Sequence, residues 1–432
     1  MKAKEYKKAV NAWSMYDWAN SAFATTIMAG FMPGYFKELA KSAGMSEVGS
    51  TSAWAYVTTI ALIIIALLAP AMGYMADRMG GKKRFLTIFA VVGAIASIAL
   101  YIPNGDMFQL AGAIYILGNL GFAGANIFAN ALLPHVAKEE DIDQVSVKGY
   151  ALGYLGGGLL LVINVLMFLK PELFGIPDAS LAVRLSFVTV GFWWLGFTIP
   201  LWKHVKEPET VYDENLKFGE AFKSSFKELA KTFNKIKQYP EAFKLLLAFW
   251  LYNDGIGTII KMATAYGAEI GLGLTEMIGA LALVQFVGIP FSFAFGWLAK
   301  KIGAKNSILI ALVIYTFISI GGYFMAVAWH FWTLAFLVAL VQGGAQALSR
   351  SLFGSMIPKS RSGEFFGFFS MSDKFAGIAG PFVFASAGLL LGSSRFGIVS
   401  LVIFFVLGGI LLLKVDTKKG METARLAEQA GA

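Results

Sequence analysis

The sequence predicts an all-α membrane protein with twelve transmembrane helices arranged as two six-helix, pseudo-symmetric halves. Hydrophobic residues occupy 57% of the 432 positions and charged residues only 15%, and the mean hydropathy is +0.65. Such a chain is too apolar for a soluble protein of this length. Apolar runs near the roughly 20 residues that a helix needs to cross hydrocarbon recur along the chain, and motifs of its first half return in its second. These observations together predict the fold class.

Twelve apolar runs define the predicted transmembrane spans. They cover residues 9–36, 52–77, 85–103, 107–134, 146–169, 181–203, 243–270, 275–299, 306–328, 330–356, 364–391 and 395–414. One long connection separates the sixth span from the seventh. The chain is therefore divided into a first six-helix half at 1–203, a cytoplasmic linker at 204–242, and a second six-helix half with a short cytoplasmic tail at 243–432.

The first span carries a polar face inside an apolar run. On a helix, Asp17, Asn20 and Ser21 fall at i, i+3 and i+4, so they share one side among aromatic and aliphatic neighbours. That side must meet protein or water rather than lipid. The run also lacks the pattern of a cleaved signal peptide, which indicates a retained first span.

Basic residues indicate the orientation of the chain. The connections on the side of the two termini hold most of the Lys and Arg, whereas the loops on the other side hold only Lys37, Lys41, Lys170 and Arg395. Because basic loops remain in the cytoplasm, both termini are predicted to be cytoplasmic. The same placement accounts for the net charge of +9 without nucleic-acid binding.

The long connection has its own helical pattern. Phenylalanines and aliphatic residues recur every three or four positions between Phe218 and Ile236, and the lysines fall mostly elsewhere. This pattern predicts a basic amphipathic helix over 216–237 on the cytoplasmic membrane surface. A solvated linker helix packed on the protein is the alternative.

The two halves repeat each other in order. The segment Gly73–Gly80 after span two corresponds to Gly296–Gly303 after span eight, at an offset of 223 residues. Further correspondences are Pro134 with Pro358, Gly153 with Gly377, Gly156 with Gly380, and Tyr16-Asp17 with Tyr252-Asn253-Asp254. Two parallel six-helix repeats that face each other enclose a site near the midplane of the membrane.

Several of these motifs resemble those of known transporters. The loop Gly73-x-x-x-Asp77-Arg78-x-Gly80 resembles the signature between the second and third helices of the major facilitator superfamily. The segments Tyr16 to Phe23, Tyr252 to Gly255 with Tyr266 to Glu269, and Gln346 to Ser351 with Glu364 to Gly367 resemble the autophagy-related vacuolar amino-acid effluxer-like family. The resemblance runs from span one to span twelve. It implies the major facilitator fold and a secondary transporter, with amino-acid efflux from the vacuole as the role attached to the fungal branch.

The resemblance assigns a gating role to Gly73, Asp77, Arg78 and Gly80, and the second copy of the loop departs from the pattern. Lys300 and Lys301 stand there in place of the acid and the arginine, so the role can be assigned only to the first copy. Asp77 is expected to accept hydrogen bonds from a neighbouring helix N-terminus and to hold the cytoplasmic side closed in the outward-open state. The alternative is that Arg78 and the bases at 82–84 only determine topology, and the two interpretations are compatible.

Interior polar residues are the candidates for substrate binding or coupling, because an ionisable group at mid-membrane costs at least about 2.5 to 3.5 kcal/mol. Asp17 and Asp254 lie roughly 14 Å beyond the basic ends of their spans at 1.5 Å per residue. The candidates are Tyr16, Asp17, Asn20, Asn126, Asn130, Tyr252, Asn253, Asp254, Lys261, Gln346, Arg350, Asp373 and Lys374.

Each of these groups also has a purely structural interpretation. Asp373 with Lys374, or Asp254 with Arg350, can form structural ion pairs. If Lys261 does not balance the remaining acid, one carboxylate is left to take a proton. The glycines of span five, at 149, 153 and 156–158, are expected to serve close helix packing rather than ligand contact.

The predicted function is secondary transport of a small polar metabolite, an amino acid or related zwitterion, by alternating access with proton coupling. The substrate carboxylate would meet Arg350 in bidentate fashion, and its ammonium would meet Asp17 or Asp254. Another organic solute, such as a nucleobase, a sugar or a drug-like compound, is the first alternative. A lipid translocase and a transport-dead receptor are the others.

The predicted partners follow from what the sequence contains. It has no cysteine, its three histidines do not cluster, and no Gly-Lys-Ser/Thr nucleotide loop is present, so neither a metal site nor a cofactor nor ATP hydrolysis is expected. The chain is expected to be no enzyme, to bind a small-molecule substrate, membrane lipids and protons but no nucleic acid, and to act as a monomer. A bacterial cytoplasmic membrane is the expected location.

Overall fold

The structure, a computed structural model, describes residues 3–208, 236–269 and 274–430. The amphipathic helix predicted over 216–237 lies almost entirely outside the described residues. The described chain is organised around long helices joined by short connections. The side chains of Ser46 and Asp178, the N-cap residues of two long helices, each accept a backbone N–H of the first turn.

The first half contains seven α-helical segments. They are α1 (Ala3–Ala22), α2 (Met32–Ser42), α3 (Glu47–Met79), α4 (Lys82–Ala99), α5 (Phe108–Val136), α6 (Ile142–Leu169) and α7 (Ala179–His204). A π-helical segment, Phe23–Phe31, joins α1 to α2 without a break. The predicted first span is therefore a single helical rod with a wider turn in its middle.

The second half contains the remaining helices. They are α8 (Pro240–Glu269), α9 (Leu274–Ile302), α10 (Ala304–Tyr323), α11 (Ala328–Ser355), α12 (Ser362–Leu391), α13 (Ser394–Ser400), α14 (Val402–Leu413) and α15 (Thr417–Gln429). Short 3₁₀ turns cover Pro171–Phe174 in the first half and Lys359–Arg361 in the second.

Within the described residues, eight helices are long and apolar enough to cross a membrane. They are Ser52–Met79, Phe108–Val136, Ile142–Leu169, Ala179–His204, Gly279–Ile302, Ala304–Tyr323, Ala328–Ser355 and Ser394–Leu413. The protein is therefore a multi-pass membrane protein. The other four predicted spans coincide with the α1–α2 rod, α4, α8 and α12, which carry charged residues. The count of twelve spans stays a prediction.

The packing of the helices repeats from one half to the other. In the first half α1 packs against α6 and α7, and in the second half α8 packs against α12 and α14. Between the halves, α3 packs against α12 and α9 packs against α6. The second predicted span of each half (α3 or α9) thus lies against the fifth predicted span of the other half (α12 or α6). This is the reciprocal arrangement that a twofold axis between the halves produces.

Two lysines in the first turns of α4 and α10 have a structural role that charge counting alone does not show. The Nζ of Lys83 donates to two carbonyl groups at the end of α7, at 2.7 and 2.8 Å. The Nζ of Lys305 donates to two carbonyl groups at the end of α14, at 2.8 and 2.7 Å. Each lysine satisfies carbonyls that a helix end leaves unpaired, and each places a positive charge at the negative end of the helix dipole.

The C-terminal helix α15 is tied to the base of α8 through Glu241. One carboxylate oxygen accepts the backbone N–H of Asp416 at 2.8 Å, and the other pairs with Lys244 Nζ at 2.8 Å. Burial acts to raise the pKa of Glu241, but the hydrogen bonds from Lys244 and Asp416 outweigh it, and the pKa lies below its usual value. A charged Glu241 therefore holds α15 in place.

Candidate functional site

A cavity of about 1240 Å³ lies between the two halves. Its lining includes Asp17 and Arg350 and extends to the exposed Gly34 and Glu38 of α2. We call the face that carries both termini the terminal face and the opposite one the distal face. The cavity therefore opens towards the distal face.

The polar lining comes from both halves. It consists of Asp17, Asn20, Ser21, Thr25, Glu38, Asn126, Asn130, Asn253, Gln285, Gln342, Gln346, Arg350, Ser370, Asp373 and Lys374, together with the tyrosines at 35, 150, 154 and 266. Most of the predicted candidates are in this set. Tyr16 and Tyr252 are not, since each is only 1% exposed. Lys261 lies in α8, but its side chain is outside the described part of the structure.

Arg350 is at the floor of the cavity, where its guanidinium reaches across to the first half. Its Nη1 and Nη2 both donate to Asp17 Oδ2 at 3.1 Å, and Nη1 also donates to Asn130 Oδ1 at 3.3 Å. Its Nε donates to Ser146 Oγ at 2.9 Å, and Nη2 donates to the Ser146 carbonyl at 2.8 Å. We call Asp17, Asn130, Ser146 and Arg350 the floor cluster. It is buried, with Arg350 4% exposed and Asp17 13% exposed.

The floor cluster corrects two interpretations of the sequence. A guanidinium has five N–H donors, and all five of those of Arg350 are used, so Arg350 offers no donor to a substrate carboxylate in this conformation. The acid that pairs with Arg350 is Asp17 and not Asp254. Both corrections have one cause: the polar side of α1 faces the end of α11, and this contact joins residues far apart in the chain.

Asp254 lies behind the cavity wall. It is 1% exposed and is absent from the lining, and its Oδ1 accepts the backbone N–H of Gly380 at 2.8 Å. The contact joins α8 to α12 within the second half. Asp254 thus takes part in helix packing, whereas Asp17, its counterpart in the first half, faces the cavity.

A second ion pair that lines the cavity lies within the second half. Lys374 Nζ pairs with Asp373 Oδ2 at 2.6 Å, as the adjacency of the two residues predicts. Asn253 Nδ2 donates to the other oxygen of Asp373 at 2.8 Å. The side chains of Asp373 and Lys374 are 37% and 23% exposed, so both reach the open space of the cavity.

Tyr150, Tyr154 and Gln285 line the cavity, although the sequence analysis did not single them out. The two tyrosines are one turn apart on α6, and the Tyr150 ring stacks on the Arg350 guanidinium with a centroid distance of 4.5 Å. The i, i+4 spacing of the two tyrosines within a glycine-rich span could have indicated that they share one face of α6. Gln285 could have been identified as the single amide side chain in an apolar run.

The glycines of α6 serve close packing, as predicted. A Cβ atom at Gly149 would lie 2.3 Å from Asp17 Oδ2, and one at Gly156 would lie 2.6 Å from the Trp18 carbonyl oxygen. Side chains at these positions would push α1 away from α6. The glycines therefore place Asp17 within reach of Arg350.

The terminal face is closed by a contact between α3 and the N-terminus of α12. Asp77 accepts the backbone N–H groups of Gly363 at 3.1 Å and Glu364 at 2.6 Å, as predicted for a carboxylate at a helix N-terminus. A Cβ atom at Gly73 would lie 2.0 Å from the Gly363 carbonyl oxygen, so the two backbones touch. We call Gly73, Asp77, Lys82, Gly363 and Glu364 the terminal gate.

The cation of the terminal gate is Lys82. Its Nζ lies 2.7 Å from Asp77 Oδ1, and the side chain is 1% exposed. Arg78, by contrast, is exposed and lies over the Tyr74 ring. Gly80 ends α3 at φ +68, a conformation that favours glycine, so it shapes the loop and does not touch α12 in the contacts described.

We expect Asp77→Asn to loosen the terminal gate. Asparagine can still accept a hydrogen bond, but the buried Lys82 loses its counter-charge, and breaking a buried pair costs roughly 3 to 5 kcal/mol. Opening the gate exposes Lys82 to water, so the closed conformation carries most of this cost. A cysteine at Ala131, a fully buried α5 residue that packs with the core of the second half, should be labelled faster.

The matched control for this change is Asp106→Asn, on the exposed distal loop, which should not alter the labelling rate. Since Asp77 does not line the cavity, the ligand-binding side chains are unchanged. Unaltered labelling combined with lost ligand binding would contradict the gating role.

Comparison with known proteins gives a consistent result. The family model described as "Vacuole effluxer Atg22 like" matches residues 5–425. An uncharacterized MFS-type transporter, YxiO of Bacillus subtilis (strain 168), is 37% identical over 430 residues, covering 98% of this chain and 98% of its own. Autophagy-related protein 22 of Saccharomyces cerevisiae (strain ATCC 204508 / S288c) is 23% identical over 514 residues, covering 99% of this chain and 95% of its own.

Solved structures of low sequence identity share the fold. The major facilitator proton:xylose symporter XylE superposes with a TM-score of 0.72 at 14% identity, covering 99% of this chain and 100% of its own. The human organic anion transporter MFSD10 superposes with a TM-score of 0.71 at 15% identity, covering 94% of this chain and 99% of its own.

Proposed function

The chain belongs to the family of Atg22-like vacuole effluxers within the major facilitator superfamily, and from that membership we propose that it moves an amino acid or a related zwitterion by alternating access. It is a multi-pass membrane transporter and not an enzyme. The observation that carries the proposal is a cavity between two halves that holds charged and amide side chains, opens to the distal face and is sealed at the terminal face by contacts between the halves.

Alternating access requires contacts that exist in one conformation and break in the other. The floor cluster and the terminal gate both join the first half to the second, and both lie on the terminal side of the cavity. Rocking the halves apart on that side would separate Arg350 from Asp17 and Asp77 from α12. With both termini in the cytoplasm of a bacterium, the conformation described is outward-facing. We also propose that the protein acts as a monomer.

A zwitterion suits the charges of the cavity. Two acid–base pairs line the cavity: Asp17 of the first half with Arg350 of the second, and Asp373 with Lys374 within the second half. The two N–H groups that Arg350 donates to Asp17 both go to Oδ2. Among the described residues, Oδ1 of Asp17 accepts no hydrogen bond. A substrate ammonium can therefore bind Oδ1 without displacing Arg350. The charged floor argues against the lipid alternative.

Thermal stability of the purified protein tests the substrate class. A ligand that binds only the folded state stabilises it by about 2.7 kcal/mol at 100 times its dissociation constant. We expect one or more amino acids in a metabolite panel to raise the melting temperature and to show counterflow in proteoliposomes. Stabilisation by sugars or nucleobases alone, with counterflow of the same compounds, would contradict the proposal.

We further propose that Asp17 couples transport to protons. When the halves rock apart at the terminal side, Asp17 loses Arg350 and is left with an uncompensated charge in a partly buried site. Taking a proton removes that charge, and the return of Arg350 expels the proton. Asp17 therefore binds a proton in one conformation and releases it in the other.

The expected result is that Asp17→Asn binds the substrate ammonium more weakly, retains counterflow at saturating substrate, and loses accumulation driven by a pH gradient, because asparagine cannot take a proton yet still offers Arg350 an oxygen. Accumulation should fall to the level measured without a gradient. Asp254→Asn is the matched comparison, since its oxygen can still accept the Gly380 N–H, and it should retain driven accumulation. If Asp17→Asn still concentrates the substrate under a proton gradient alone, this coupling mechanism is wrong.

A further inference from the structure

Lys374 is a cation of the cavity with unused donors. Its ammonium has three N–H groups, and among the described residues its only hydrogen-bond or ion-pair partner is Asp373 Oδ2. The side chain is 23% exposed and lines the cavity. We propose that Lys374 binds the carboxylate of the substrate, with Asp373 as the resident counter-ion. This inference rests on the proposed function and names the residue that recognises the acidic end of the substrate.

The two bases of the cavity differ in the N–H donors that they can offer to a substrate carboxylate. Arg350 is 4% exposed and all five of its N–H groups donate to Asp17, Asn130 and Ser146. A carboxylate could reach its donors only by breaking the floor cluster that joins the halves. Lys374 can accept a carboxylate on its remaining donors while the floor cluster stays intact.

The partner of Lys374 is itself held in place from another helix. Asn253 of α8 donates to Asp373 Oδ1 at 2.8 Å, so Asp373 is anchored by one oxygen and pairs with Lys374 through the other. The flexible member of the pair is the lysine, whose four-carbon chain allows the ammonium to move. Asp373 neutralises Lys374 in this conformation, and a substrate carboxylate competes with it for the same ammonium.

The position of the pair suits a ligand that is also bound by Asp17. Tyr150 stacks on Arg350, which pairs with Asp17, and Asp17, Tyr150 and Lys374 line the same cavity. Both ion pairs therefore face the same cavity. A zwitterion with its ammonium at Asp17 and its carboxylate at Lys374 would contact both halves, so its binding would depend on how far apart they are.

The test uses the purified full chain and measures binding by thermal shift and by calorimetry. The probes are the twenty proteinogenic L-amino acids, their C-terminal amides, and acetate, propionate and butyrate as simple carboxylates. We expect Lys374→Gln to weaken binding of every carboxylate probe at least about tenfold, as for loss of a hydrogen bond to a charged group. Lys374→Arg should restore part of it. Lys170→Gln, at an exposed distal position, is the matched control and should bind like the wild type.

Asp373→Asn provides a readout that a merely structural role would not produce. Removing the competing carboxylate should tighten binding of the carboxylate probes several-fold and leave the amides unaffected. Unchanged affinity in Lys374→Gln, equal binding of acids and amides, or no binding of any carboxylate probe to the wild type would each overturn the proposal. Binding of simple carboxylates but of no amino acid, with loss in Lys374→Gln, would support Lys374 as the carboxylate site and contradict the proposed substrate class.

Discussion

Replacing Arg350 with glutamine is expected to open the terminal face and to raise the labelling rate of a cysteine at Ala131 by roughly two orders of magnitude or more. The change removes the charge that compensates Asp17 in a site where Arg350 is 4% exposed and Asp17 13% exposed. Breaking a buried pair costs about 3 to 5 kcal/mol. Because every 1.4 kcal/mol is a factor of ten, the equilibrium between closed and open conformations shifts about 100-fold or further.

The chain is well suited to this measurement because it has no cysteine of its own. Ala131→Cys reports on the contact between the halves, since Ala131 packs with the core of the second half. Ala94→Cys, fully buried in the core of the first half, is the control for general unfolding. Arg350→Lys keeps the charge but loses donors, and should give an intermediate rate.

A rise in labelling at Ala94 equal to that at Ala131 would indicate loss of the fold rather than opening of the terminal face. Unchanged labelling at both positions would show that the floor cluster does not hold the halves together.

The second large effect is expected from a single methyl group. Gly73→Ala would place a Cβ atom 2.0 Å from the Gly363 carbonyl oxygen. No rotamer change can relieve this distance, because the backbone of α3 fixes the position of the Cβ atom and the oxygen belongs to the backbone of α12. The closed terminal gate cannot form with this methyl group in place. We expect the protein to accumulate with its terminal face open, to label rapidly at Ala131→Cys, and to lose net transport.

The choice of alanine helps to distinguish opening of the terminal gate from a folding defect. In a helix interior alanine is more favourable than glycine by roughly 1 kcal/mol, so α3 itself should gain stability. Gly196→Ala is the matched control, because a Cβ atom at that α7 glycine meets no atom within 4 Å. Normal transport by Gly73→Ala would show that the contact between α3 and α12 is not required for closure.

The organisation of the chain could be predicted from short-range patterns. Apolar runs placed the helices. The resemblance of the loop after span two to the superfamily signature predicted the contact of Asp77 with a helix N-terminus, which the N–H groups of Gly363 and Glu364 provide. The glycines of span five were assigned to packing, and Gly149 and Gly156 do lie against α1. These features depend on the chemistry of neighbouring residues, which a sequence displays directly.

Partner choice among the charges could not be predicted in the same way. The basic loop after α3 was assigned by charge alone, although Lys82 is buried against Asp77 while Arg78 is exposed. The difference arises because α4 turns back after Gly80 and brings Lys82 under the end of α3. A count of charges in a loop contains no information about which of them the turn directs inwards.

The sequence by itself determined that this protein is a membrane transporter built from repeated helices with charges at mid-membrane, because hydropathy, spacing and charge are properties of continuous segments. Only the tertiary structure decided which charges face the cavity and which pair with one another. Asp17 and Arg350 are 333 residues apart in the chain and 3.1 Å apart in space, whereas Asp254 is buried against Gly380. Burial and pairing energies depend on short distances between distant segments, and those distances exist only once the two halves have packed together.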